Sequence, residues 1–218
     1  LAVTMGANAA TTEHTHTRAS VIEITAQQGQ NTALADFLSV GAQLVQDNEP
    51  DTLFWSALQT EDKNTFVIFD AFGSQAAQDA HFAGKIPKAL SESAATLVKG
   101  GWNDGVLPNI HNADIIASKV GKNTQESIKI ATFIPLKAKP GQEQKLAELL
   151  EQGAQIVTTQ EPSTLHWFAV HFGDDRFGIV DFFADQAGVD AHFNGGVAAA
   201  MKQNASTLVE GGWEQGVL

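Results

Sequence analysis

The sequence predicts an α+β fold in which one β-α-β-β-α-β unit occurs twice in tandem. The segment Asp79–Phe82 (DAHF) returns 111 residues later as Asp190–Phe193. An ungapped comparison of Ser74–Leu107 with Asp185–Leu218 gives 18 identities in 34 positions, which is far beyond chance. Apolar residues also follow strand and helix periods in the same order in both halves. The chain therefore consists of two related units of about 100 residues each.

In the first unit, strand and helix patterns alternate with turn residues. Residues 20–26 alternate apolar and polar side chains, as a half-buried strand does. After Gly29, apolar residues spaced three and four apart indicate an amphipathic helix. Ser74 is a suitable N-cap for the helix that carries His81, and we expect Pro87 to interrupt that helix. The predicted elements are strand 20–26, helix 31–46, strands 52–60 and 65–72, helices from 74 and over 88–99, and strand 109–119.

The second unit repeats this order up to its last strand. Its predicted elements are strand 127–137, helix 142–159, strands 164–171 and 176–183, and a helix capped by Asp185. The first unit continues into a fourth strand, whereas the sequence stops at Leu218. We therefore expect the second unit to lack its own last strand, with that edge left open or filled by another segment such as Leu1–Met5.

These elements predict the domain organisation. It comprises an arm over 1–18, a first unit over 19–120, a linker over 121–126 and a second unit over 127–218. The element order is that of the split βαβ, ferredoxin-like plan, which has an antiparallel sheet with helices on one face. The bare sheet face needs a partner. We expect the two sheets to face each other as a pseudo-dimeric barrel within one chain, with a cavity between them.

Composition restricts the classes of function. The net charge of −12 argues against nucleic acid or an anionic membrane as a partner, because both require concentrated Lys and Arg. The absence of Cys excludes disulfides, thiolate metal sites and a Cys nucleophile, and there is no Tyr. The compartment stays open, because Leu1–Ala10 is compatible with a signal-peptide remnant as well as with another processed end.

The candidate catalytic residues are a repeated Asp–His pair. Asp70 and Asp181 occupy equivalent positions in the third strand of each unit, and His81 and His192 follow them by 11 residues. A carboxylate hydrogen-bonded to an imidazole orients it and biases its protonation. One interpretation is a general base at the edge of the cavity between the sheets. The other is a structural hydrogen bond that holds the second helix of each unit on its sheet.

All four tryptophans also fall at repeated positions. Trp102 and Trp213 follow a Gly-Gly pair and are expected to pack over a helix end. Trp55 and Trp167 lie in the middle of a strand, where they belong either to the core or to the wall of a cavity. No metal site is expected, because the unrepeated His166 and His171 lie five residues apart on a strand and therefore point to opposite faces.

Around its histidines the chain resembles the antibiotic-biosynthesis-monooxygenase-like family of dimeric α+β barrels. In that family an acidic residue, an aromatic residue and a short turn precede a helix with Ala-His nine residues after the aromatic. Here Phe72 precedes Ala80-His81 and Phe183 precedes Ala191-His192 at that spacing. The family's acidic residue is Glu, whereas this chain has Asp70 and Asp181, and its Tyr or Trp is replaced by Phe72 and Phe183.

The resemblance implies homodimers of single units, so that a tandem chain would be a pseudo-dimer, with a homodimer of whole chains left open. It also implies a cofactor-independent monooxygenase acting on a small aromatic or quinol-like molecule between the sheets. His81 and His192 would be the base, and Asp70 and Asp181 would orient them. Trp55, Trp167, Phe72 and Phe183 would form the substrate wall. The alternatives are a non-catalytic, ligand-binding or stress-related barrel and a structural assembly unit.

Overall fold

A computed structural model, which describes residues 15–122 and 128–218, has an α+β fold built on one curled antiparallel sheet of seven strands. The first unit contains β1 (Arg18–Thr25), α1 (Asn31–Asn48), β2 (Thr52–Gln59), β3 (Thr65–Phe72), α2 (Gln75–Phe82), α3 (Lys85–Leu97) and β4 (Ile110–Val120). The second contains β5 (Ile130–Lys137), α4 (Glu143–Gln160), β6 (Thr164–Gly173), β7 (Arg176–Phe183), α5 (Gln186–Phe193), α6 (Gly196–Leu208) and α7 (Gly212–Gly216). The predicted order of elements is therefore confirmed.

The two units join edge to edge. The strand order is β2-β3-β1-β4-β6-β7-β5, so that β4 pairs with β1 of its own unit and with β6 of the other. Lys119 lies opposite Trp167 in that junction. The strands of the two units thus form one continuous curled sheet, which is the pseudo-dimeric arrangement that duplication predicts.

The sheet ends at β2 and β5. Within 15–122 and 128–218, β5 pairs only with β7. The segments Leu1–Met5 and Leu1–Ala10, considered above as a strand and as a signal-peptide remnant, lie outside the described residues, as does most of the expected linker.

Each helical layer packs on one face of the sheet and encloses a core of its own. Trp55 and Trp167 lie in these two cores. Gly41 of α1 and Gly153 of α4 make room for them, because a Cβ would lie 3.6 Å and 3.3 Å from the respective indole rings. The other face carries a third cluster that includes Phe54, Phe69, Phe168 and Phe182.

The helix α3 of the first unit begins at Lys85, earlier than the predicted start at residue 88. The chain breaks at Ala83–Gly84, and Pro87 lies inside the first turn of α3 rather than before the helix. Proline is tolerated there because the first N–H groups of a helix have no intrahelical acceptor. Residues Gly100 and Gly101 adopt left-handed φ values of 84° and 63°, which turn the chain into a π-helical segment over Gly101–Val106.

None of the helices in the described residues is both long enough and apolar enough to cross a bilayer.

Candidate functional site

A buried Glu–His–Asp cluster recurs in both units. In the first unit, His81 Nδ1 lies 2.5 Å from Glu49 Oε2, and Nε2 lies 3.4 Å from Asp70 Oδ2. In the second, His192 Nδ1 lies 2.5 Å from Glu161 Oε2, and Nε2 lies 3.1 Å from Asp181 Oδ2. Each imidazole thus bridges two carboxylates, one from the sheet and one from the end of the first helix. The arrangement can hold a proton and pass it between the carboxylates.

Backbone geometry brings the three groups together. Asp70 and Asp181 lie next to the end of β3 and β7, and the turns after these strands lead into α2 and α5. Ser74 and Asp185 cap those helices by accepting hydrogen bonds from Ala77 and Gly188 N–H. About two helical turns later the histidine faces back to the strand that carries its Asp.

The sequence reasoning missed the two glutamates. Glu49 and Glu161 each follow a long helix directly and precede Pro, and a helix stop is a sufficient explanation of that pattern. The signal that could have found them is the repetition of Glu-Pro at equivalent positions, because a helix stop does not require a carboxylate. Glycine also accommodates Glu161, since a Cβ on Gly195 would lie 2.5 Å from its Oε1 atom.

The carboxylate of Glu161 is more enclosed than that of Glu49. It is bonded to His192, accepts a hydrogen bond from Val197 N–H at the start of α6 at 3.3 Å and another from Thr164 Oγ1 at 3.3 Å. Glu49 is bonded to His81 and accepts a hydrogen bond from Thr52 Oγ1 at 3.0 Å. The exposed fraction of the side chain is 17% for Glu49 and 8% for Glu161. The first cluster is therefore the one that communicates with solvent.

The two clusters also differ in the pKa values of their side chains. Burial raises the pKa of Asp70 to about 7, although His81 and the hydrogen bonds from Ser20 act in the opposite direction. Burial also disfavours the charged form of His192, but its hydrogen bonds to Asp181 and Glu161 outweigh this effect and raise its pKa to about 9. The pKa of Glu161 is lowered, because its bond to His192 outweighs its burial. At neutral pH His192 is an imidazolium, whereas Asp70 lies near its point of half-protonation.

The first cluster lies between an internal pocket and a surface cleft. An apolar internal pocket of about 30 Å³ has Asp70 and His81 at its polar end, and Trp55, Phe37 and Trp102 among its other walls. A surface cleft of about 350 Å³ lies outside it and is lined by residues that include Glu49, His81, Gly84 and Lys85. His81 and Ile86 line both spaces. These two side chains are therefore the partition between the internal pocket and the surface cleft.

Thr132 donates to Asp181 from the position that Ser20 occupies opposite Asp70, but Gln78 has no polar counterpart in the second unit. Gln78, which is 1% exposed, donates to Ser20 Oγ at 2.7 Å and to Ala19 O at 3.0 Å, and accepts from Arg18 Nε at 3.1 Å. Ser20 N–H in turn donates to Asp70 Oδ1 at 3.1 Å. The position equivalent to Gln78 is Val189. These bonds tie α2, and with it His81, to β1 only in the first unit.

The predicted site residues are thus brought together, but not where they were expected. Asp70 shares its strand face with Phe66 and Ile68, which belong to the helix-side core, because side chains alternate along a strand. Both histidines are buried beneath their own helices, and a third cavity, of about 700 Å³ on the other face, includes neither. The expectation that they open onto a cavity between two sheets is therefore wrong.

The four predicted wall residues also lie on the helix side. Trp55 lines the internal pocket of the first unit, and Trp167 is fully buried in the second core. The ring centroids of Phe72 and Phe183 lie 5.5 Å and 5.6 Å from those of His81 and His192. The two phenylalanines thus pack against the imidazoles.

Metal coordination has no basis in this cluster geometry. No group of three or more His, Asp and Glu side chains in residues 15–122 and 128–218 is arranged to hold a metal ion.

Comparison with known proteins agrees with the fold. The model of the antibiotic biosynthesis monooxygenase family matches residues 130–204. A putative monooxygenase from Fusobacterium nucleatum subsp. nucleatum ATCC 25586 superposes with a TM-score of 0.75 at 16% identity, covering 89% of this chain and 88% of that one. An anthrone oxidase-like protein superposes with a TM-score of 0.55 at 10% identity, covering 90% and 87%.

A protein of unknown function from Nitrosomonas europaea is 34% identical over 50% of this chain and 99% of its own, with a TM-score of 0.45. No functionally curated protein matches the chain.

The curled antiparallel sheet with its helical layers defines a protein with a monooxygenase-like α+β fold. The match to the antibiotic biosynthesis monooxygenase family lies in the second unit, and the first unit repeats the same order of strands and helices.

Proposed function

We propose that the protein is a cofactor-independent monooxygenase of a small electron-rich phenol or quinol-like molecule, and that its first unit carries the reaction. The observation that supports this most directly is the apolar pocket with Asp70 and His81 at its polar end. In this proposal an aromatic ring packs against Trp55 and Phe37 once the pocket opens to the surface cleft, and its hydroxyl group meets the polar end. The second unit supplies the other half of the sheet.

The internal pocket has room for about one water molecule as it stands. In this proposal a ring enters when the Ile86 side chain rotates, because Ile86 lines both the pocket and the cleft of about 350 Å³. A space of that size is within the range of small-molecule sites, which is about 300–1,000 Å³. The cleft is thus the proposed entrance, and Ile86 is the proposed gate.

Asp70 is the proposed base. Its pKa of about 7 suits proton abstraction near neutral pH, since a general base works best with a pKa near the operating pH. His81 accepts the proton from Asp70 at Nε2 and releases one from Nδ1 to Glu49, whose carboxylate borders the surface cleft. Glu49 and Phe72 are positioning residues, because they act through His81.

The reaction consumes one O₂ for each substrate. The deprotonated substrate transfers one electron to O₂, and the resulting radical and superoxide combine into a peroxide at carbon. That peroxide, once protonated, loses water and leaves a carbonyl group, so that a CH₂ group and O₂ become C=O and H₂O. The substrate provides the electrons, so the step requires no other reductant.

The second cluster is the proposed non-catalytic copy. His192 is already protonated at neutral pH, with a pKa of about 9, and cannot take up another proton. Glu161 also accepts hydrogen bonds from the start of α6 and from Thr164, which ties this cluster into the fold. His192, Asp181, Trp167 and Phe183 therefore have structural roles in this proposal.

The duplication provides matched controls for the test. Dithranol, a hydroxylated anthrone, would be followed by O₂ uptake and by absorbance of the anthraquinone, with the enzyme-free rate subtracted. We expect Asp70→Asn and His81→Gln to lower kcat/KM by about 10²–10⁴-fold, the usual contribution of a general base. Asp181→Asn and His192→Gln, compared as folded proteins at the same pH, should keep most of the activity.

Two results would contradict the proposal. Equal losses from the variants of both units would refute the assignment to the first unit. Absence of catalysed O₂ uptake with dithranol and with a panel of naphthohydroquinones would refute the oxygenase activity itself.

A further inference from the structure

A cavity lies on the face of the sheet opposite to the helices. Its volume is about 700 Å³, which is within the range of small-molecule sites of about 300–1,000 Å³. Both units contribute to it, through Val21 and Val67 of β1 and β3 and through Phe133 of β5 and Phe172 of β6. The Glu–His–Asp clusters lie on the other face of the sheet, so the cavity is separate from the proposed oxygenase site.

Two half-buried phenyl rings form one wall of the cavity. A Cβ built on Gly178 of β7 would lie 3.1 Å from Phe133 and 3.2 Å from Phe172, so both rings lie over this glycine. The ring of Phe172 has an edge contact with His111 at a centroid distance of 6.4 Å. Partly exposed phenyl rings favour a flat apolar ligand, because covering them removes apolar surface from water.

The charge of the same wall is less negative than that of the protein as a whole. The chain has 25 acidic and 13 basic residues, yet Lys137, Arg176 and His111 all line this cavity. Lys137 is neutralised by Glu210 at 3.1 Å and by Asp175 at 3.7 Å. Arg176 forms no ion pair with any residue in 15–122 or 128–218, and its side chain is exposed.

The remaining acidic residue of the lining is Glu23, which belongs to β1 in the other unit. The cavity therefore has an unpaired guanidinium on the side of β7 and a carboxylate on the side of β1. Guanidinium groups bind carboxylates through two parallel hydrogen bonds. This polarity orients an anionic ligand with its charged end at Arg176 and its apolar body on the phenyl rings.

We propose that this cavity binds a small aromatic carboxylate, with the ring against Phe133 and Phe172 and the carboxylate on Arg176. The site is distinct from the helix-side cluster and does not depend on the oxygenase activity. Its ligand is bound across the two units of the chain, because β1 and β3 supply one wall and β5, β6 and β7 the other.

The test compares 2-naphthoate with its neutral analogue 2-naphthamide by isothermal titration calorimetry at low salt. We expect naphthoate to bind at least about tenfold more tightly than the amide, because only the carboxylate forms charge-assisted hydrogen bonds with Arg176. Arg176→Gln should weaken naphthoate to the level of the amide. Lys202→Gln, which removes an exposed positive charge from α6, is the matched control and should leave the affinity unchanged.

Two further variants assign the location of binding. Phe172→Ser should weaken both ligands, because it removes part of the shared apolar wall, whereas His81→Gln should change neither. Failure of naphthoate to bind at millimolar concentration, equal affinities for the two ligands, or equal effects of Arg176→Gln and Lys202→Gln would overturn the proposal. Loss of binding in His81→Gln would also overturn it, by placing the ligand on the helix side.

Discussion

Replacement of His192 by Gln tests whether the second cluster holds an imidazolium. In the folded protein its pKa is raised from 6.5 to about 9, so the folded state binds the proton more tightly than the unfolded state does. The resulting stabilisation is fully present below pH 6.5 and is lost as the pH rises through 9. Gln retains hydrogen-bonding capacity but cannot become charged.

The magnitude follows from the two pKa values. A shift of one unit corresponds to about 1.4 kcal/mol, so the proton contributes about 3 kcal/mol at pH 6 and about 0.4 kcal/mol at pH 9. The side chain is only 5% exposed, so solvent screening reduces this contribution little. We therefore expect the difference in unfolding free energy between wild type and His192→Gln to fall by about 2–3 kcal/mol over this pH range.

The measurement is urea unfolding at pH 6, 7, 8 and 9, followed by tryptophan fluorescence. The packing that is lost with the imidazole lowers the unfolding free energy equally at each pH. The pH dependence of the difference between wild type and variant therefore reports only the contribution of the bound proton. If His192→Gln does not fold, Glu161→Gln tests the same linkage, because it removes one of the two carboxylates that stabilise the imidazolium. A difference that stays constant from pH 6 to pH 9 would refute the reasoning.

Three other substitutions test the first cluster and the packing of the tryptophans. Burial raises the pKa of Asp70 from 3.8 to about 7, so the wild type should lose about 2–4 kcal/mol of unfolding free energy between pH 4 and pH 7 through this group. Asp70→Asn should lack that loss in the same urea titration, and an identical pH slope in both proteins would contradict the assignment. Gly41→Ala should raise the unfolding free energy by up to about 1 kcal/mol, because Ala is the better helix former and its Cβ would lie 3.6 Å from Trp55. Gly153→Ala should gain less or lose stability, since its Cβ would lie 3.3 Å from Trp167; a larger gain there than at Gly41, measured by thermal unfolding, would be the contrary result.

Local patterns were sufficient to predict the strands and helices and two of the three residues of each cluster. The spacing of 11 residues between Asp70 and His81 recurs in both units and predicted an Asp–His pair, in which the structure places His81 Nε2 3.4 Å from Asp70 Oδ2. Glu49 escaped the same reasoning, because its position at the end of a helix has a sufficient local explanation and its contact with His81 spans 32 residues. Periodicity describes only neighbours along the chain, so it does not reveal a contact between residues this far apart in sequence.

By itself, the sequence determined that the protein is a tandem pair of β-α-β-β-α-β units with a repeated Asp and His in each. Hydrophobic periodicity is a local property, and the repeat shows every local feature twice. Only the tertiary structure decided which face of the sheet these residues occupy. Alternation along a strand separates two faces but does not say which one the helices cover, because that depends on long-range packing. The histidines therefore lie beneath their helices, bridging two carboxylates, and the large cavity lies on the opposite face.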